Sequence, residues 1–177
     1  MNPSYRWGQM GCVLKNIWAT IFIVLKVTLL CIGAIKTKWI AEGCADYLGR
    51  LARSFRLEVV ELPASRQKDA AKQAAEESER LFEALEKREG DVWVLDERGE
   101  RKTSAQLSAV LSQARDAGRS LIFILGGAYG LDERVRARAH HVLRLSDMTF
   151  PHELCRVLFF EQLYRAEQIA VGSQYHH

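Results

Sequence analysis

The sequence predicts an α/β fold in which helices surround a parallel sheet. Short runs rich in Val, Ile and Leu alternate with longer amphipathic stretches along the 177 residues. Runs such as DVWVL (91–95) and SLIFIL (120–125) are apolar throughout, as expected of strands that a parallel sheet buries on both faces. Strands that alternate regularly with helices are typical of this fold class.

The first two strands and the helix between them follow from apolar patterning. LKVTLLCI predicts a first strand that runs to Gly33, and an amphipathic helix is predicted at about 38–53. RLEVVEL (56–62) is the second strand. Pro63 ends that strand because proline supplies no N–H for the hydrogen-bond ladder.

A long charged helix is predicted next, at about 67–88. Its apolar positions share one side and are Ala70, Ala74, Leu81 and Leu85. Mixed glutamate, lysine and arginine residues occupy the other side. This arrangement is typical of a helix that packs on a sheet with its apolar side and exposes its charges to solvent.

The same alternation continues through the second half of the chain. Three more strands are predicted where short apolar runs recur, at 91–96, 120–125 and 141–146. Thr103, with Gln106 three residues later, forms a capping box for a helix that runs to Gly118. A final helix is predicted to begin at about His152.

Length and charge point to one ordinary globular domain. The chain is 48% apolar and 27% charged, with a formal net charge of +3. That excess lies in residues 1–26, which hold Arg6, Lys15 and Lys26 and no acidic residue. The remainder is formally neutral, because the other 22 of the 25 basic residues face all 22 acidic ones. Neutrality argues against broad charge-driven binding to nucleic acid, so such a partner would be met by a local patch or by shape.

The cysteines and histidines give no support to a disulfide framework or a metal site. Cys12, Cys31, Cys44 and Cys155 show no C-x-x-C spacing, which favours a reducing, cytoplasmic location. The five histidines lack the spacings that place two metal ligands on one helical face. We therefore predict no metal.

The N-terminal segment allows more than one interpretation. Residues 17–35 are apolar enough to suggest a membrane anchor, but Lys26 interrupts them and no small-residue cleavage site follows. The second half of this stretch is better explained as the first strand of the sheet. We therefore expect residues 1–24 to lie outside a domain at 25–177, as a flexible tail or the product of a misplaced start codon, with no membrane association.

Glycines follow the fourth predicted strand in FILGGAYGL (123–131). This stretch matches neither the G-x-G-x-x-G dinucleotide motif nor a phosphate loop, so a ligand here is not held by phosphates. Two other strand ends carry unusual residues, Leu95–Asp96 and the segment from Ser146 to Pro151. Because the carboxyl ends of parallel strands share one rim, we expect the three segments to form one pocket.

Three stretches, LDERG, FILGGAYGL and LSDMTFPHELCRVLFFEQLYRA, resemble the family of ribosomal large-subunit methyltransferase H. The resemblance runs from about Lys26 to the C-terminus, and members of the family begin near Leu25. It implies a SPOUT-class fold with a C-terminal trefoil knot, an exception to the rule against threaded chains. It also implies a homodimer that uses S-adenosylmethionine to methylate N3 of a pseudouridine in the 23S rRNA of assembled 70S ribosomes.

The resemblance also implies site residues. The implied cofactor contacts are Leu95, Gly127, Ser146, Asp147, Met148, Thr149, Phe150 and Pro151, and a side chain at Gly127 is expected to occupy the ligand's space. The candidates for binding RNA or removing the N3 proton are His152, Arg156, Tyr175 and His176. Two stretches depart from the family, because Gly-Gly-Ala-Tyr-Gly replaces the commoner Gly-Gly-Pro-Glu-Gly and the tail differs before Tyr175.

Other interpretations of these residues stay open at this point. Leu95 is also consistent with a simple core position, and Gly130 with a plain turn. Arg156 and Arg165 are by default solvated on the last helix, or pair across a dimer. The alternative functions are methylation of another RNA, such as tRNA, and a non-catalytic α/β binding module with a membrane-associated N-terminus.

Overall fold

The computed structural model describes residues 24–176, whose centre is a parallel sheet. The strands of this part of the chain are β1 (Leu25–Ile32), β2 (Phe55–Leu62), β3 (Asp91–Arg101), β4 (Leu121–Leu125) and β5 (His141–Arg144). The helices of the same part are α1 (Lys38–Leu51), α2 (Ala70–Leu85), α3 (Ser104–Asp116), α4 (Glu133–Ala137) and α5 (His152–Ala170). A single 3₁₀ turn, Gln174–His176, follows α5.

The strands lie in the order β2-β1-β4-β3-β5, and each neighbouring pair is parallel. The predicted α/β fold with a parallel sheet is therefore confirmed. The trefoil knot that the resemblance implies stays a prediction.

Two apolar layers cover the sheet. The layer under α1, α3 and α5 includes Leu29 and Phe159, and the layer under α2 and α4 includes Leu30 and Leu81. Consecutive residues of β1 therefore face opposite layers, as the two-residue period of a strand requires. All of β4 is buried, which explains why its sequence is apolar throughout.

β3 extends five residues beyond its predicted end. Leu143 of β5 pairs with Leu95 and again with Glu100, so residues 96–99 bulge out of the ladder between the two pairings. The backbone of Gly99 passes so close to β5 that a Cβ there would lie 2.6 Å from the carbonyl carbon of Leu143. No strand was predicted at these positions because DERGER (96–101) has no apolar residue.

The α2 side of the sheet differs from prediction in two respects. α2 is shorter than predicted at both ends, and its buried residues include Glu77 and Ser78, whereas Ala70 is exposed. α4 was not predicted, since it has five residues and buries only Val135. The predicted Thr103 capping box of α3 is confirmed.

The predicted extension at 1–24 lies, except for Val24, outside the described residues. Among the helices of residues 24–176, none is both long enough and apolar enough to cross a membrane.

Candidate functional site

A cavity of about 680 Å³ opens at the carboxyl ends of β3, β4 and β5. Its walls come from residues 95–98, 125–131 and 144–152 without Asp147, together with Arg136 and Cys155. This is the rim where open parallel sheets bind ligands, and the volume lies within the usual range for small-molecule sites. The structure thus brings together the three strand ends that the sequence analysis placed in one pocket.

One wall is a tight turn from Gly127 to Gly130. The Gly130 N–H donates to the Gly127 carbonyl oxygen at 3.2 Å, and Gly130 has φ +76°, the left-handed conformation that favours glycine. Gly130 therefore lies in a turn, as predicted, and it also lines the cavity. Within residues 24–176, the N–H groups of Ala128 and Tyr129 have no protein acceptor, and both residues are exposed, Tyr129 at 57%.

Gly127 lacks a side chain for a reason that the sequence did not reveal. A Cβ there would first overlap the carboxylate of Glu77 on α2 and would then lie 3.3 Å from Ile32 Cγ2. Neither Glu77 nor Ile32 lines the cavity. The expectation that a side chain at Gly127 enters the ligand's space is therefore corrected, because that side chain would meet α2 first.

The opposite wall is the segment between β5 and α5. Ser146 Oγ accepts a hydrogen bond from the Met148 N–H at 3.0 Å. In the described part of the chain, the N–H groups of Thr149 and Phe150 have no acceptor. Five of the six predicted residues of this segment line the cavity. The exception is Asp147, whose carboxylate pairs with Arg101 at 3.0 Å and Arg144 at 3.1 Å.

These walls suit a ligand with a flat apolar ring and hydrogen-bonding edges. The apolar lining includes Leu95, Leu125, Leu131, Leu145 and Phe150. The free backbone N–H groups on both walls can donate to ring nitrogens or to a carboxylate. Among residues 24–176, no group of three His, Cys, Asp or Glu side chains is placed to hold a metal ion.

An ion pair at one edge of the cavity was missed by the sequence analysis. Asp96 Oδ2 lies 2.9 Å from Arg136 Nη1, and both side chains are largely buried. Arg136 also pairs with Glu133 at 2.9 Å. Burial alone would lower the pKa of Arg136, but the hydrogen bonds that its guanidinium donates to these two carboxylates outweigh burial and raise the pKa. No sequence signal marked this pair, because α4 itself was not predicted.

The start of α5 brings a predicted residue and an unpredicted one to the cavity. His152 and Cys155 both line it, and the Cys155 thiol donates to the Phe150 carbonyl oxygen at 3.7 Å. Burial raises the pKa of this thiol, which keeps it protonated at neutral pH.

Arg156 is buried, contrary to the default expectation of a solvated arginine, and is only 1% exposed. Its guanidinium donates to the Ile32 carbonyl oxygen at 2.7 Å and to the Gly33 carbonyl oxygen at 2.5 Å. It also pairs with Glu61 Oε1 at 2.6 Å. Arg156 therefore connects α5 to the ends of β1 and β2, and it does not line the cavity.

The tail lies at the other end of α5. The Tyr175 ring contacts the Tyr164 ring edge-on at 4.9 Å, and the Arg165 guanidinium lies 5.0 Å from the Tyr175 ring centre. A hydrogen bond with Tyr47 raises the pKa of Tyr175 to about 12. The backbone of His176 belongs to the final 3₁₀ turn. A 19-residue helix is about 28 Å long, so this tail does not reach the cavity of its own chain.

Comparison with known proteins places these features in a family context. The family described as "Predicted SPOUT methyltransferase" matches residues 25–176. Ribosomal RNA large subunit methyltransferase H of Geobacter metallireducens is 40% identical over 156 residues, which cover 86% of this chain and 99% of that protein. The protein of the same name from Desulfovibrio desulfuricans is 44% identical over 151 residues, which cover 82% of this chain and 94% of that protein.

A solved structure shares the fold at low sequence identity. The crystal structure of a probable methyltransferase from Bordetella pertussis Tohama I aligns with a TM-score of 0.52 and 14% identity. The alignment covers 82% of this chain and 95% of that one. At this identity the likeness concerns the fold alone.

Proposed function

Because the chain belongs to the SPOUT methyltransferase family, we propose that it methylates RNA of the large ribosomal subunit with S-adenosylmethionine as methyl donor. The specific reaction we propose is methylation of N3 of a pseudouridine in 23S rRNA on assembled 70S ribosomes. The names of the relatives support the class of RNA. This chain aligns with nearly the whole length of these relatives. The observation that carries the proposal is the cavity, which joins Leu95, the glycine turn and the segment before α5 at one rim.

The cavity residues fit this cofactor by their chemistry. S-adenosylmethionine would supply an electrophilic methyl group on a sulfonium, and it has no phosphate that would require a basic cradle. Leu95 and Leu125 would pack against its adenine ring, and the free N–H groups of Thr149 and Phe150 would donate to the ring edge or the carboxylate. Gly127 would contribute backbone atoms only.

The target nitrogen must lose its proton before or during methyl transfer, and His152 is the candidate base. It lines the cavity at the first residue of α5. Tyr175 is a hydrogen-bond donor in this proposal, because its raised pKa of about 12 keeps the phenol protonated at neutral pH. Positioning of the target base in line with the methyl group supplies the rest of the rate enhancement.

The position of the tail favours a homodimer in which each tail serves the other subunit's cavity. Tyr175 and His176 follow α5, whereas His152 begins it, so one chain cannot bring both ends together without losing the packing of Tyr175 on Tyr164. In a twofold dimer in which one tail reaches the partner's cavity, symmetry places the partner's tail at the first cavity in the same way. Arg156 has a supporting role here, because it fixes the helix that carries His152.

We also propose that the catalytic domain comprises residues 25–177 and that residues 1–24 are an extension. The match of the family to residues 25–176 supports this boundary. We propose a cytoplasmic location, because the proposed substrate is the ribosome. A chain that begins at Lys26 behind a new methionine is expected to melt at the same temperature and to methylate ribosomes as well as the full chain.

Two measurements test the proposed function. Calorimetry with S-adenosylmethionine tests cofactor binding, and a non-catalytic module would show none. Transfer of a labelled methyl group to 70S ribosomes, separated 50S subunits and tRNA then identifies the substrate. Reverse transcription across the product should stop at the modified base, because a methyl group on N3 blocks base pairing. Label on tRNA alone would favour the alternative RNA substrate.

A further inference from the structure

Glu77 is the least exposed carboxylate of residues 24–176, at 1%. It lies on α2, where the sequence predicted a solvated charged face. A buried carboxylate is costly unless hydrogen bonds satisfy its oxygens, so its presence calls for a physical explanation.

Only one of its two oxygens has donors in the described chain. Oε1 accepts from the Ser65 N–H at 2.9 Å and from the Gln73 side-chain amide at 3.2 Å. Oε2 is buried, has no hydrogen-bond partner among residues 24–176, and lies where a Cβ of Gly127 would be. The free oxygen therefore faces the first residue of the glycine turn.

That turn has donors without acceptors. The N–H groups of Ala128 and Tyr129 have no acceptor within the described residues, and both residues are exposed. The buried and unpaired Oε2 of Glu77 lies against Gly127, at the start of the same turn. The next residue of α2, Ser78, is also 1% exposed, and its Oγ accepts from the Asp132 N–H at 3.1 Å. Two consecutive buried polar residues of α2 thus contact the two ends of the segment from Gly127 to Asp132.

We propose that Glu77 is a positioning residue that seats the glycine turn and so fixes one wall of the cofactor cavity, with its carboxylate packed against Gly127 and Oε2 available as an acceptor for an N–H of that turn. Position 127 is glycine because any Cβ would displace this carboxylate. The identity of the ligand as S-adenosylmethionine rests on the proposed function, whereas the contact between Glu77 and the turn does not.

The first experiment measures S-adenosylmethionine affinity by calorimetry in five variants of the full chain, which are Gly127→Ala, Glu77→Ala, the double variant of these two, Glu77→Gln and Glu79→Gln. Gly127→Ala is expected to weaken binding by about tenfold, although its methyl group points toward α2. The double variant Gly127→Ala with Glu77→Ala should bind better than Gly127→Ala alone, because the carboxylate that the methyl group displaces is gone. Additive losses in the double variant would contradict the proposal.

Glu77→Gln separates hydrogen bonding from packing, since the amide has the same shape but only one acceptor oxygen. We expect it to weaken binding by about threefold to tenfold and to raise the KM for the cofactor more than it lowers kcat. Glu79→Gln is the matched control on the exposed side of the same helix and should bind as the parent does. Parental binding by Glu77→Gln would overturn the proposal.

A second readout needs no ligand. In the cofactor-free protein, Glu77→Gln should speed amide hydrogen exchange at Ala128 and Tyr129 by about fivefold or more, with no change in the β4 amides. Unchanged exchange at these two amides would show that Glu77 does not hold the turn. If the parent chain fails to bind S-adenosylmethionine, the proposed function fails, and the exchange result still decides the role of Glu77.

Discussion

The two ends of α5 both carry catalytic candidates, but their surroundings differ. At the first end, His152 lines the cavity, and Arg156 is buried one turn later against carbonyl oxygens from the end of β1. At the last end, Tyr175 packs on Tyr164 and Arg165, and its own chain's cavity lies a helix length away. The first end thus combines the cavity with the contacts that support it, whereas the second carries side chains that lie outside the cavity of their own chain. Proximity in sequence to a conspicuous motif does not by itself indicate a shared site.

The largest expected effect breaks the support at the first end. Arg156→Met should lower the free energy of unfolding by about 3 kcal/mol, because it leaves the Ile32 and Gly33 carbonyl oxygens and the Glu61 carboxylate without their donor. Arg165→Met is the control at the last end, where Arg165 pairs with Glu161 on the same helix. It should cost less than about 1 kcal/mol in urea denaturation. Equal losses at both ends would remove the distinction.

The next effect concerns catalysis at the first end. His152→Gln should lower the rate of methylation of 70S ribosomes by about a hundredfold, as expected when a general base is lost. Its affinity for S-adenosylmethionine and its melting temperature should stay near those of the parent. A parental rate in this variant would exclude His152 as the base.

A smaller effect is expected at the last end. Deletion of residues 174–177 should slow methylation by about tenfold or more, a barrier change of about 1.4 kcal/mol, with little change in cofactor affinity or dimerisation. Methylation at the parental rate would show that the tail is dispensable.

Mixing the two defective chains sharpens the comparison. A heterodimer of the His152→Gln chain and the tail-deleted chain contains one complete site if each tail serves the partner's cavity. Random mixing should then restore about a quarter of the parental activity, because half of the dimers are mixed and each has one intact site. No recovery would indicate that each tail acts on its own chain.

The smallest effect is a pH dependence at the last end. The hydrogen bond with Tyr47 raises the pKa of Tyr175 to about 12, above its ordinary value of about 10. This bond therefore stabilises the fold fully below about pH 10, and the contribution is lost as the pH rises toward 12. In Tyr47→Phe, ultraviolet titration should show the Tyr175 phenolate forming at lower pH. An unchanged titration would contradict the Tyr47 contact.

The sequence predicted those parts of the fold whose signals are local. Apolar runs marked all five strands of residues 24–176, and Thr103 with Gln106 marked the start of α3. The last residues of β3 were missed because their pairing depends on a bulge opposite Leu143 rather than on apolar side chains. The five-residue helix α4 was also not predicted, because it is too short to show an apolar periodicity.

The sequence did not predict the burial of Arg156 and Glu77, because their partners are far away in the chain. The acceptors of Arg156 lie 95 to 124 residues earlier in the chain, so its burial cannot be inferred from the pattern of α5. Glu77 lies among charged residues and is buried only because the glycine turn and Ser65 meet α2 at that point. Their positions at strand ends predicted that Leu95 and the segment from Ser146 to Pro151 share one rim, and the cavity joins them there. Only the resemblance assigned these residues to a cofactor, because their side chains alone do not differ from those of core or loop residues.

The separation of cavity and tail by the length of α5 has a consequence for dosage. If a complete site needs two copies, then below the dissociation constant of the dimer the concentration of complete sites rises with the square of the chain concentration. Halving the amount of enzyme would then reduce methylation by about fourfold rather than twofold. A cell could therefore switch the modification over a narrow range of expression, with no regulator beyond mass action.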